Sequence, residues 1–186
     1  MRIITGSAKG TKLKAPKGYS IRPTSDRVKE SVFNIIGQFV EGVVVLDLFA
    51  GTGNLGLEAL SRGAARAIFV DRSLEAISLI KRNAEQTRLA DRVEIVRDDV
   101  LRTVSRFAAE KRQFGLIFCD PPYNSGQAGL IVTQVHEAGI LSPNGLLVLE
   151  YSRHEVLPSG FWAIRTERYG ETMISFFSAS QTRQEV

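Results

Sequence analysis

Two short stretches of this 186-residue chain hold residue types whose spacing points to chemistry. The first, Asp120-Pro121-Pro122-Tyr123, ends the apolar run Phe114 to Cys119. Two consecutive prolines remove two backbone donors and fix two φ angles, so neither a strand nor a helix runs through them. What stands there is a carboxylate, a carbonyl of fixed direction on Pro121 and a flat ring. Such a set clamps a flat amine. Asp120 and the Pro121 carbonyl accept its two N–H bonds and draw the nitrogen toward tetrahedral geometry, while Tyr123 stacks on the attached ring. The structural alternative is a proline turn that caps a strand, with Tyr123 packed on the core.

The second stretch runs from Asp47 to Gly56, with Gly51, Gly53 and Gly56 in G-x-G-x-x-G spacing. Glycines let a backbone bend and let a ligand approach it closely, and this turn follows an apolar strand, where open α/β sheets bind ligands. Asp71 stands 20 positions after Gly51, where an acid accepts hydrogen bonds from ribose hydroxyls. A dinucleotide and S-adenosylmethionine both fit that feature. Asp47 separates them, because an acid at the tip of the first strand repels a pyrophosphate and attracts the α-amino group of a methionine moiety. Asp98-Asp99 follows the third strand; either acid could accept from an adenine amino group or cap a helix, and spacing does not decide.

The elements that must position these residues read as alternating strands and helices. Val43–Leu48, Ala67–Val70, Val93–Val96, Phe114–Cys119 and Leu146–Leu149 are apolar strands, the last entered through the turn Pro143-Asn144-Gly145. Helices are expected over about Leu55–Arg62 and Leu74–Arg88. Strands apolar throughout and separated by helices imply a parallel sheet covered on both faces. Phe161–Arg168 and Thr172–Phe177, joined at Tyr169-Gly170-Glu171, have hairpin spacing, so an antiparallel strand should close one edge. Upstream, Arg2–Thr5 and Thr11–Lys14 read as a short hairpin over residues 1–20, and Ser25–Gly37 as a helix capped by Thr24 or Ser25. The chain is one domain with no linker or repeat.

Charge is concentrated at one end. Residues 1–29 hold eight of the 24 basic side chains and one acid, a balance of +7, while the other 157 residues hold 16 basic and 19 acidic and balance at −3. A basic segment of this kind suits a polyanion, whose phosphates release counterions on contact; a solvated, lysine-rich leader is the plainer alternative. Cys119 is the one cysteine and His136 and His154 the two histidines, so neither a disulfide nor a multi-cysteine or paired-histidine metal site is available. Cys119 should be a buried structural residue facing away from the clamp. No apolar run reaches the ~20 residues of a membrane span, and the start of the chain lacks the apolar stretch of a signal peptide. A cytoplasmic, metal-independent protein is expected.

Together these motifs resemble the RsmD family of bacterial 16S rRNA guanine-N2 methyltransferases. The match includes Met1-Arg2-Ile3-Ile4 with Gly6, Arg22 through Glu30 with Phe33-Asn34, Asp47 to Gly51 with Gly53, Leu55 to Ala64, and Asp120 to Tyr123. Asp-Pro-Pro-aromatic is shared by many amino-methyltransferases; Arg-Pro-Thr joined to Leu-Glu-Ala-Leu-Ser-Arg-Gly-Ala is far more specific. The resemblance implies a Rossmann-like, class I S-adenosylmethionine-dependent fold, with a mostly parallel seven-stranded sheet and an antiparallel C-terminal strand. It implies S-adenosylmethionine as donor and a guanine of 16S rRNA as acceptor; the small size of the basic segment further suggests the assembled or assembling small subunit as the substrate. By position, Asp47, Gly51 and Gly53 would hold the methionine end with Phe49 and Ala50 beside them, Asp71 the ribose and Asp99 the adenine side. Asp120, Pro121, Pro122 and Tyr123 would form the catalytic box. Arg2, Lys9, Lys12, Lys14, Arg22 and Arg27 are the expected RNA contacts; Arg27 could instead pair with Glu30 at i,i+3.

Three rivals use the same residues differently. An adenine-N6 or cytosine-N4 DNA methyltransferase would keep the clamp, although the chain is short for a separate target-recognition domain. An NAD-dependent oxidoreductase would keep the glycine turn and leave Asp47 and the prolines without a role. A catalytically idle RNA-binding assembly factor would leave the intact Asp120–Tyr123 box unexplained.

Overall fold

The structure is a computed structural model that describes residues 1–16, 23–122, 126–160 and 163–179. Arg22 and Tyr123, and the first two residues of the expected strand at Phe161, therefore lie outside the described residues.

Seven strands form one sheet in the described residues: β1 Val44–Leu48, β2 Arg66–Val70, β3 Val93–Val96, β4 Phe114–Cys119, β5 Leu141–Ser152, β6 Arg165–Tyr169 and β7 Thr172–Ser178. Their order is β3-β2-β1-β4-β5-β7-β6. The pairs among β1 to β5 are all parallel, and β7 runs antiparallel to both neighbours. The fold class is the expected one. The antiparallel strand, however, lies one place in from the edge, and β6 closes the sheet.

Alternation along the strands explains the layers. Val45, Ala67, Phe69, Leu116 and Phe118 enter one core; Leu46, Leu48, Ile68, Val70, Ile117 and Cys119 enter the other. Successive side chains of a strand point to opposite faces, so a sheet apolar at every position must be covered twice. On the first face lie α1 (Pro23–Ile36), α2 (Asn54–Ser61) and α3 (Leu74–Thr87). On the second lie α4 (Val100–Ala109) and α5 (Gln127–Ala138), which the strand pattern required without giving their bounds. Cys119 is buried in the second core, as expected of a structural cysteine.

Two local readings change. Pro143-Asn144-Gly145 lies inside β5: Phe114 pairs with Leu141 and Leu116 with Leu146, so four residues of β5 bulge opposite Gly115. The turn signal was real, and the strand resumes on both sides of it. At the N-terminus the expected hairpin is present in short form: Arg2 and Lys12 make one antiparallel bridge, flanked by Ile3 N donating to the Thr11 carbonyl at 2.9 Å and Leu13 N to the Met1 carbonyl at 3.2 Å.

That N-terminal arm, residues 1–14, is part of the globule. Ile3, Ala8 and Leu13 are buried in the first core. Glu58 on α2 is fully buried and accepts from the N–H groups of Ile4 and Thr5 at 2.8 and 3.1 Å. One helical turn on, Ser61 Oγ donates to the Thr5 carbonyl at 2.6 Å and accepts from Ala8 N at 3.0 Å. The closeness demands glycine at position 6, where φ is +87° and a Cβ would stand 1.8 Å from the Ser61 carbonyl oxygen. The specific Leu-Glu-Ala-Leu-Ser-Arg stretch thus supplies the polar face on which the arm docks. No described helix is long and apolar enough to cross a membrane.

Candidate active site

Parallel pairing brings the C-terminal ends of β1 to β5 to one rim. The chain leaves β1 toward β2 and β3, then returns to lay β4 on β1's other side. The loops after β1 and β4 therefore diverge and leave a crevice, the usual ligand position in open α/β sheets. Both chemical motifs border it: the glycine turn follows β1 and Asp120 follows β4.

The glycine turn is held from several directions. Phe49 and Gly51 have φ of 57° and 53°, and Gly53 caps α2 in the left-handed region at 76°. A bulky residue at positive φ costs roughly 1–2 kcal/mol, so Phe49 is a strained position at the turn's entrance. Gly53 N donates to the Ala50 carbonyl at 2.7 Å, and Ala50 N to the Val70 carbonyl at 3.1 Å. Space around Gly51 is open, whereas a Cβ at Gly56 would lie 2.4 Å from the Phe69 ring. Gly51 thus leaves room for a ligand, and Gly56 lets α2 lie flat on the sheet.

The acids at the C-terminal ends of β1, β2 and β3 all have protein partners. Asp47 does not stand open to the crevice as its position suggested. It is 3% exposed beneath the turn, and its Oδ2 accepts from Gly56 N at 2.9 Å. Burial raises its pKa to about 7, the Gly56 N–H opposing and the Asp71 charge adding to the rise. Asp71 accepts from Gly51 N through Oδ2 and from Ser73 N through Oδ1, both at 2.9 Å. Each carboxylate oxygen keeps a second lone pair for a ligand hydroxyl. Asp99 is the N-cap of α4, accepting from Arg102 N at 3.1 Å, which is the helix-cap alternative for that pair of acids. Asp98 accepts from Asp99 N at 2.8 Å and lies 3.5 Å from Arg102.

Asp120 is in a different condition. It is exposed to solvent. Yet the protein closing around it, then the charges of Glu150 and Asp47, hold its carboxyl well above the ordinary range. Solvent thus reaches the side chain although protein surrounds much of it. Sequence reasoning missed Glu150. Its place beside Asp120 follows from the register, in which Cys119 pairs with Leu149. Pro121 is buried and Pro122 exposed.

Of the expected RNA contacts, Arg2, Lys9, Lys12, Lys14 and Arg27 are all exposed. Arg27 makes no ion pair with Glu30 among the described residues. Lys29, counted with the basic segment, is not available to a polyanion. It is 2% exposed, with Nζ 3.1 Å from Glu58. Arg62 also reaches Glu58, at 2.8 Å, and lies over the Phe33 ring at 4.6 Å. A hollow lined by Lys111, Arg112 and Gly139 lies at the opposite end of the strands and holds none of the predicted residues. Among the described residues no group of three or more His, Cys, Asp or Glu is placed to hold a metal ion.

Comparison with known proteins bears on the family and the fold. The family model described as conserved hypothetical protein 95 matches residues 1–178. The putative rRNA methyltransferase YlbH of Bacillus subtilis (strain 168) is 42% identical over 180 residues, covering 95% of this chain and 98% of that one. The ribosomal RNA small subunit methyltransferase D of Escherichia coli (strain K12) is 34% identical over 172 residues, covering 90% and 84%. The solved structure of a hypothetical protein from Thermus thermophilus has a TM-score of 0.82 at 28% identity and covers 96% of this chain and 99% of that one. An RNA methyltransferase from Salinibacter ruber, solved with S-adenosyl-L-homocysteine, shares the fold at a TM-score of 0.64 and 16% identity, covering 93% and 98%.

Proposed function

We propose, from the premise that this chain belongs to the RsmD family, that it moves a methyl group from S-adenosylmethionine to the N2 amine of a guanine in 16S rRNA. Methyl transfer to rRNA is the family's activity; the guanine N2 atom and the small-subunit context are our assignment. The observation that carries it is the meeting of Asp47, Asp71 and Asp120 at the ends of the adjacent strands β1, β2 and β4 around one crevice.

The donor set fits S-adenosylmethionine. It bears an ammonium and a sulfonium and no phosphate, and the rim beside the glycine turn presents acids. A dinucleotide uses an acid such as Asp71 for its ribose, but its pyrophosphate gains nothing from Asp47 under the turn, which disfavours the oxidoreductase. When bound, S-adenosylmethionine supplies a methyl group made electrophilic by its sulfonium. The open space at Gly51 would take the methionine end over Asp47, and Asp71 would accept from the ribose. Asp99, its Oδ1 engaged in the helix cap, keeps Oδ2 for the adenine side.

Asp120 and the Pro121 carbonyl accept the two N–H bonds of the guanine amine and hold its lone pair in line with the methyl. Asp120, ionised when it accepts from the amine, then takes the proton released after transfer and ends in the protonated form that its surroundings favour. Tyr123 stacks on the extruded base. The exposed cations of the arm and Arg27 hold phosphates beside the crevice, in a subunit that presents much of the RNA's shape itself. An rRNA substrate places the reaction in the cytoplasm.

The test uses purified protein, methyl-labelled S-adenosylmethionine, undermodified small subunits, protein-free 16S rRNA and duplex DNA, followed by nucleoside digestion. The expected product is N2-methylguanosine from the subunit. Methyladenine or methylcytosine in DNA would overturn the acceptor and leave the clamp standing.

A further inference from the structure

Two buried polar side chains join the N-terminal arm to the glycine turn. Asn83, on α3, is fully buried. Its Oδ1 accepts from Lys14 N at 2.8 Å, and its Nδ2 donates to the Lys14 carbonyl at 3.0 Å and to the Thr52 carbonyl at 2.9 Å. Thr52 is the residue between Gly51 and Gly53. Lys29, on α1, donates to the Arg2 carbonyl at 2.6 Å and to Asn54 Oδ1 at 2.7 Å, while facing Glu58 at 3.1 Å. Asn54 opens α2 directly after Gly53. All three donors of the ammonium thus have an acceptor, one on the arm and two on α2, of which Asn54 is the residue that follows the turn. A third link is weaker: Thr52 Oγ1 donates to Met1 Sδ at 3.1 Å.

Fully satisfied buried networks fix one geometry, because any other leaves a polar group dry and unpaired. Asp71 and Asp47 hold the turn from the sheet side through Gly51 N and Gly56 N. Asn83 holds it from the other side and spends its remaining bonds on the arm, while Lys29 holds the residue that follows it and divides its other bonds between the arm and Glu58. The turn's shape therefore depends on residues that touch no ligand position.

We propose that Asn83 and Lys29 are positioning residues for the cofactor turn, setting its geometry by bracing it against the N-terminal arm. The proposal rests on the reading of Gly51–Gly53 as the S-adenosylmethionine site. Burial lowers the pKa of Lys29, with Glu58 opposing, as expected of a cation kept for its bonds inside the protein.

The experiment is calorimetric titration of the full chain with S-adenosylhomocysteine, for wild type and for Asn83→Ala, Lys29→Met and Gln86→Ala. Each is measured at a temperature where circular dichroism shows it folded. Gln86→Ala is the control: Gln86 Nε2 donates to the Lys12 carbonyl at 2.7 Å, so it too holds the arm, but no bond joins it to the turn. Loss of either brace should weaken binding about tenfold, and loss of Gln86 by no more than about twofold. A merely structural role would lower the melting temperatures and leave the dissociation constants alone. Unchanged affinity in both Asn83→Ala and Lys29→Met overturns the proposal, as does equal weakening by Gln86→Ala. Failure of the wild-type chain to bind overturns the cofactor reading itself, and the proposal with it.

Discussion

The two halves of the crevice are built in opposite ways. On the glycine-turn side every acid is already engaged: Asp47 by Gly56, Asp71 by Gly51 and Ser73, Asp99 by Arg102. On the β4 side Asp120 is exposed, and Glu150 and Asp47 press on it with like charge. The first half is preorganised by backbone N–H groups; the second leaves an exposed carboxyl near two other acids. A cofactor that binds the same way each cycle suits the first, and an amine drawn from a large RNA suits the second.

The sharpest way to break the contrast is Asp120→Ala. Methyl transfer should fall about 10³-fold, because an interaction made chiefly in the transition state is lost, while S-adenosylhomocysteine affinity stays unchanged by calorimetry. A parallel loss of cofactor affinity would mean that the halves are not separate.

The cofactor half has its own signature in pH. The folded Asp47 carboxyl holds its proton up to about pH 7, against an ordinary 3.8. In the free protein this contribution to stability is intact below 3.8 and is lost as the pH rises toward 7. A bound ammonium favours the ionised acid, so cofactor affinity should weaken about tenfold per pH unit below about 7. Asp47→Asn should flatten that slope, and a slope that persists in the variant would assign it elsewhere.

Gly56→Ala probes the packing under the turn. Its Cβ would fall 2.4 Å from Phe69 Cε1 and 3.1 Å from Asp47 Oδ2. Forcing α2 away should cost about 1–3 kcal/mol in a denaturation midpoint. Stability equal to wild type would show that the helix has slack.

The smallest effect belongs to Arg27→Ala, outside both halves. RNA affinity should drop a few-fold and the slope of log K against log salt by about 0.7–0.9, one phosphate's share, with cofactor binding untouched. Loss of cofactor binding would sink the assignment of Arg27 to the RNA.

What could be read in the sequence was the part written in single residues at strand ends. Apolar runs gave β1 to β4, and an acid at the tip of each marked the crevice. Burial of polar groups was not legible. Lys29 sits in a run of basic residues and looks like one more of them; only the packing of α1 against α2 shows it as an internal donor. Glu58 and Ser61 carried a specific motif without a stated reason until the arm was seen docked on them. Asn83 lies mid-helix among charged neighbours, with no local cue. Glu150 needed the β4–β5 register, a pairing made at long range. Asp99 was legible as either cap or ligand, because both uses demand an acid at the same place.

The docking of the arm also has a consequence in time. Lys14 finds its partner Asn83 69 positions later in the chain. At 5–20 residues per second, ribosomal synthesis takes roughly 3 to 14 s to cross that distance. Over that interval the arm carries Ile3, Ala8 and Leu13 without the complete core that buries them. It also carries four cations and no acid. Charge interleaved with those apolar residues keeps the nascent segment solvated until α2 and α3 emerge, so a stretch made early settles late.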